Sequence, residues 1–317
     1  MALKESVIKT LSYFDLFQYP LTREELYRNL WDTDSADLKL DYTDFVKQVE
    51  VYDEIGYKHG FYFLSGNEEH VARRQNRVRI IEEKMQIAKR GIKKLRWIPF
   101  VRAVCVCNTV ALGTAVEESD VDIFVIARKG RIWFVRFWST LILKLFRLRT
   151  SKGNMKNKIC LSFFVSDSQL NLEFLCAFED DIYLVYWLGH LVPVYDPDNL
   201  LHSMYKANTW TKKYVPHAYA PYILLENWKV EDSKCSKWGK VIGERIDRGI
   251  WGSRCENYLK RIQLPRINTY YGPMLKKQGT EVVVTDTILK FHENDRRKEY
   301  YTRWRENYDA RLVRELK

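Results

Sequence analysis

Residues 107–127 read CNTVALGTAVEESDVDIFVIA: small residues, an acidic turn, then a run of β-branched and aromatic residues. The run from Val121 to Ala127 has the composition of a buried strand. Two aspartates, Asp120 and Asp122, stand at its mouth. Two residues apart on a strand, their side chains leave on the same face. Carboxylates that close repel and raise one another's pKa unless a cation lies between them. Magnesium suits the pair because it is hard, prefers oxygen, and takes one or two protein carboxylates while water and substrate phosphates complete its shell. Manganese accepts the same ligands.

Upstream, Asn108 and Thr109 end a preceding strand, and VALG opens a short helix whose free N–H groups can receive phosphate oxygens. Thr109 adds a hydroxyl. Gly113 permits a tight turn near the metal, and Ser119 can bond to local backbone ahead of Asp120.

This arrangement resembles the nucleotidyltransferase superfamily, which includes DNA polymerase beta, tRNA CCA-adding enzymes, and small-molecule and protein nucleotidyltransferases. The family pattern is a Gly-Ser pair opening a helix, a downstream glycine, and Ser-Asp-x-Asp on a strand about a dozen residues later. Here Asn108-Thr109 stands at Gly-Ser, Ala111 and Gly113 fall in register, and Ser119-Asp120-Val121-Asp122 completes the pattern, within residues 100–166. The resemblance implies an α+β, polymerase-beta-type core with a mixed sheet. It implies that Asp120 and Asp122 hold magnesium and serve catalysis, and that Asn108, Thr109, Gly113 and Ser119 bind nucleotide. The partner implied is an NTP, ATP or CTP, whose monophosphate passes to an acceptor hydroxyl as pyrophosphate leaves.

Two departures keep rival readings open. Asn108 puts a side chain where the family has glycine, although asparagine tolerates unusual backbone. The third carboxylate of polymerising members belongs on a later strand, and KICLSFFVS offers Cys160 and Ser162, with Asp167 just past its end and Glu173 farther on. A catalytically degenerate fold acting as a nucleic-acid-binding or scaffold module is therefore weighed beside transfer to RNA or tRNA, to a small molecule, or to a protein.

Outward from this core, residues 1–66 predict a helix over 4–17, a second with Thr22 and Glu25 as a capping box, a third near Tyr42–Tyr52, and a hairpin around Gly60. Three helices and a hairpin resemble a winged helix. Its last helix is acidic, which favours a structural or protein-contact role over DNA. Residues 67–99 form a long basic connecting helix, with Val71, Val78, Met85 and Ile92 on one stripe and Arg73, Arg74, Arg77, Lys84 and other cations elsewhere. The core spans 100–177, and 178–317 read as mostly helical. Asp286 reads as a turn or edge-strand acid, with entry into the site as the alternative.

The charge is uneven. Residues 1–66 hold 7 Lys and Arg against 12 Asp and Glu, so a chain of net charge +11 carries +16 after residue 66. That surface favours polyanions, and RNA is the acceptor it suggests. The six cysteines form no C-x-x-C pair, and the histidines have no metal-site spacing. No apolar window suits a membrane span and the N-terminus lacks a secretory pattern, so the expected location is cytoplasmic, without membrane insertion. The basic, aromatic helix around Trp133 and Trp138 is expected to pack on the sheet, with a membrane or nucleic-acid surface as the alternative.

Overall fold

A computed structural model describes residues 2–31, 41–49, 52–218, 226–246, 250–277 and 279–315. The N-terminal elements are α1 (Ala2–Asp15), β1 (Leu21–Thr22), α2 (Arg23–Arg28), α3 (Tyr42–Val49), β2 (Ile55–Lys58) and β3 (Phe61–Leu64). β3 is the middle strand of a three-stranded antiparallel sheet in the order β1-β3-β2. The capping box forms as the sequence predicts: Thr22 Oγ1 accepts from Glu25 N at 3.2 Å, and Glu25 Oε2 accepts from Thr22 N at 2.8 Å. The end of the third expected helix, at residues 50–51, lies outside the described residues.

The long helix α4 (Glu69–Leu95) leads from this unit to the central sheet. Met85, Ala88, Ile92 and Leu95 enter the core, and Gly91 lets α4 approach the central sheet so closely that an added Cβ would lie 2.1 Å from Ile159 Cδ1. The expected stripe breaks at Val78, which is 66% exposed. The basic faces are not simply solvated. Arg74 grips Glu25 in a two-pronged ion pair, Arg77 donates to the carbonyls of Phe17 and Gln18, Arg73 to Gln18, and Lys89 and Arg96 to the carbonyls of Asn227 and Glu231. Lys84, expected on the outer face, is buried at 1% exposure.

Beyond α4 run β4 (Val101–Val106), α5 (Asn108–Leu112), β5 (Val121–Ala127), α6 (Ile132–Leu145), β6 (Ile159–Ser166), α7 (Ile182–Gly189), β7 (Val192–Tyr195) and α8 (Leu200–Ala207). They are followed by α9 (Lys234–Ile246), α10 (Ile250–Leu275), β8 (Val282–Val284), β9 (Ile288–Phe291) and α11 (Arg297–Glu315). The six-stranded sheet has the order β7-β4-β5-β6-β9-β8. Among the described strands of this sheet only β5 and β6 pair in parallel, because α6 carries the chain back between them; the other pairs are antiparallel. The fold is α+β with a mixed sheet, as expected.

The region 178–317 is helical through α7–α11, and it also supplies β7, β8 and β9, half of the strands of that sheet. The sheet that begins within 100–177 is therefore completed from outside it. Ile123 and Val125 face a core shared with α4 and α6, whereas Phe124 and Ile126 face a second core with α7 and α8. The N-terminal core is likewise not closed on itself. Ile182 and Tyr186 of α7 and Trp304 of α11 belong to it, and Tyr186 donates to the Asn29 carbonyl at 2.7 Å.

Helix α6 buries Ile132, Trp133 and Val135 in the core, as expected, and leaves Trp138 38% exposed. No described helix is long and apolar enough to cross a membrane.

Candidate functional site

Strand pairing builds the site. Asp122 stands opposite Cys160 in the parallel β5–β6 register, one residue into β5. A ligand atom from each of Asp120, Asp122 and Cys160 lies within 4.8 Å of the others. Burial and the neighbouring Asp122 push the Asp120 carboxyl up to about 6, partly opposed by its own backbone N–H and Lys84. Burial also raises Asp122, against hydrogen bonds from Asn108 and Cys160. Cys160 is driven well above the ordinary thiol range by burial and by both aspartates, so it remains a neutral S–H.

Asn108 sits at φ +55°, the left-handed region where glycine is at ease and asparagine is the usual substitute. Its side chain does a second job. Trp187 Nε1 donates to Asn108 Oδ1 at 2.9 Å, which leaves the amide N–H₂ to donate to Asp122. The residue thus ties α7 to the buried carboxylate.

The approach to the pair is held from beneath by Lys84. Its Nζ donates to the carbonyls of Glu117, at 2.7 Å, and Ser119, and to Asn157 Oδ1 at 2.8 Å. Burial lowers its pKa, yet it retains hydrogen-bond partners for three N–H groups. Ser119 Oγ accepts from Val116 N at 3.0 Å, so this hydroxyl caps the turn before Asp120 as the sequence suggests. Gly113 ends α5 at φ +81°, and a Cβ there would meet the Tyr19 hydroxyl at 2.9 Å. Its role is to let the N-terminal unit pack closely.

Thr109 is exposed and lines two adjoining cavities. One, of about 460 Å³, is aromatic, with Tyr13 from α1 and Phe17 from the turn after it, Tyr186 from α7 and His190 just past its end, and Tyr300 from α11. The other, of about 780 Å³, opens onto Asp122 and combines charged groups, Lys290, His292, Asp295 and Arg297, with the apolar surfaces of Phe163 and Trp187. Tyr183 and Tyr300, stacked 5.6 Å apart, line both. Helix α5, expected to receive phosphate at its N-terminus, has only five residues and therefore little dipole to offer.

No third carboxylate joins the pair among the described residues; Cys160 occupies that place. Asp167 lies past the far end of β6, where it accepts from Lys129 N at 2.8 Å, and Glu173 is exposed in a short 3₁₀ turn. Asp286 is in the β8–β9 turn, bound to Trp133 Nε1 and Lys260 Nζ at 2.9 and 2.6 Å. The side chains that sequence patterns missed are Trp187, Lys290 and His292. A signal for the last two existed: Lys290 and His292 alternate with apolar residues in ILKFH, a charged and a polar group at strand period on one face.

Comparison with protein-family models, with curated proteins and with solved structures finds no match.

Proposed function

We propose that the chain is a divalent-metal-dependent nucleotidyltransferase: it binds an NTP at Asp120 and Asp122 and passes its nucleoside monophosphate to an acceptor hydroxyl. The observation that carries this reading is the meeting of the two carboxylates beside a cavity that Asp122 and Thr109 both line. Two half-buried carboxylates with raised pKa values are a donor set in want of a cation, and they fit magnesium or manganese; the neutral Cys160 thiol is a poor ligand for either. When bound, the metal would neutralise charge developing on the transferred phosphoryl group. The protein's own contribution is to fix the carboxylates: Asn108 and Cys160 orient Asp122 by hydrogen bonds, and Lys84 anchors the turn before Asp120.

The N-terminal winged-helix-like unit and the polymerase-beta-type core belong to the same proposal. The helix–strand–helix–helix–strand–strand order before α4, and the Asp-bearing strand next to a short helix, support them. RNA draws less support than its charge suggests, because much of the basic face of α4 is spent on internal partners. The aromatic cavity beside Thr109 better suits a small hydroxyl-bearing acceptor.

A second reading, a nucleotide-binding module without transfer, is favoured by Cys160 standing where a third carboxylate would activate the acceptor. One experiment separates them. The protein is incubated with α-labelled NTPs, magnesium or manganese, and RNA, tRNA, small hydroxyl compounds or itself as acceptor, beside an Asp120→Ala/Asp122→Ala variant. Transfer that requires the aspartates is the expected result. Metal-dependent nucleotide binding without transfer selects the second reading, and the absence of both overturns the site.

A further inference from the structure

A triphosphate brings about four negative charges, and two aspartates with one metal ion do not balance them. The five residues of α5 add little. The β9 side of the cavity, two strands away across the same face of the sheet, is different in kind. Lys290 pairs with Phe163, and Phe163 with Phe124, so Lys290 projects from the same face of the sheet as Phe124 and, by alternation, Asp122. His292 follows on that face two residues on, against the Phe163 ring. Both line the cavity that Asp122 lines.

Neither side chain is saturated. Lys290 is buried at 7% exposure; its ammonium donates to the Thr280 carbonyl and faces Asp295 at 3.9 Å, leaving hydrogen-bonding capacity unused. The buried His292 Nδ1 has no hydrogen-bond partner. An orphaned buried donor or acceptor is costly, and because Nδ1 is closed to solvent it can reach a ligand in the cavity only when the imidazole turns about its side-chain torsions. Arg297 is by contrast fully engaged, with Asp181 at 2.9 Å, Asp295, Thr280 and the Leu175 carbonyl, and it fixes the start of α11. Arg296 is likewise engaged, in a two-pronged pair with Glu299, so among the described residues Lys290 is the cation of this side with capacity left.

We propose that Lys290 and His292, brought by β9, form the polyphosphate-binding wall of this cavity. The proposal rests on the nucleotide reading of Asp120 and Asp122, and it names the groups that receive the phosphates distal to the transferred one. The Lys290 ammonium makes charge-assisted hydrogen bonds to phosphate oxygens, and the His292 ring, turned toward the cavity, adds a neutral N–H donor.

The test is calorimetric titration of the full chain with inorganic tripolyphosphate in EDTA, and separately with each NTP and magnesium. Wild-type protein is expected to bind tripolyphosphate. Lys290→Met should weaken it at least about tenfold and His292→Leu by a smaller factor, whereas Asp120→Asn/Asp122→Asn should bind no more weakly. Lys290→Gln, which retains a donor for Thr280, replaces Lys290→Met if that variant does not fold, and Lys290→Arg should restore affinity. Unchanged tripolyphosphate binding without the Lys290 charge, or none in the wild type, overturns the proposal. Lys290-dependent tripolyphosphate binding with no NTP binding would support the wall while defeating the nucleotide reading. Normal NTP binding by Lys290→Met would do the reverse.

Discussion

The acidic and basic sides of the cavity that Asp122 lines are built on opposite terms. The wall of Asp120 and Asp122 is acidic and tightly braced: Asn108, Cys160 and Lys84 each fasten part of it, and Trp187 fastens Asn108. The wall of β9 is basic and incompletely partnered, with Lys290 holding one carbonyl and a long ion pair and His292 Nδ1 holding nothing. A braced acidic wall keeps two repelling carboxylates in place when no cation is present. An under-partnered basic wall keeps hydrogen-bonding capacity in reserve for an anion. The difference separates positioning from reception within one cavity.

Breaking the acidic wall should cost most. Asp122→Ala is expected to lower aspartate-dependent nucleotidyl transfer by about 10³-fold, the several kcal/mol that a metal supplies, measured as labelled product per minute. Loss of the brace beneath it comes next. Lys84→Met leaves the Glu117 and Ser119 carbonyls without their donor and should destabilise the fold by about 3 kcal/mol in urea unfolding. An unchanged unfolding midpoint would show that Lys84 is not what holds the turn.

The basic wall leaves its mark on pH dependence. Burial, together with Lys290, lowers His292 to about 4 from 6.5. Between those values the unfolded chain binds a proton that the folded chain does not, so stability falls as pH drops from 6.5 to 4. Above 6.5 the group is neutral in both states and contributes no slope. His292→Leu should remove on the order of 2 kcal/mol of that acid-side loss, seen by comparing urea unfolding at the two ends of the window. The smallest effect is expected at Asn108. Asn108→Gly keeps the φ +55° backbone but cuts the link from Trp187 to Asp122, and should weaken metal affinity about tenfold by titration calorimetry. Asn108→Ala should add a strain of about 1 kcal/mol.

The acidic wall was legible because its parts lie close together in the chain. Period-two spacing predicts Asp120 and Asp122 on one face, and their carboxylates do come together although Asp120 stands just ahead of β5; the Thr22–Glu25 box and the Val121–Ala127 strand form as their local patterns predict. The cations of α4 were misread for the converse reason. A helical wheel shows which side Lys84 and Arg74 occupy, but it does not show that a loop and Glu25 wait there to receive them.

What the sequence determined by itself is thus local: an apolar strand, a short turn before it, and two carboxylates two residues apart where the turn enters the strand. What only the tertiary structure decided is everything that faces them. Cys160 reaches Asp122 through parallel pairing across α6, Trp187 reaches Asn108 across 79 positions, and β9 adds Lys290 and His292 after strand pairing closes the distance along the chain. The physical reason is that alternation along a strand is fixed by backbone geometry, whereas the choice of neighbouring strand is fixed by which apolar faces bury each other.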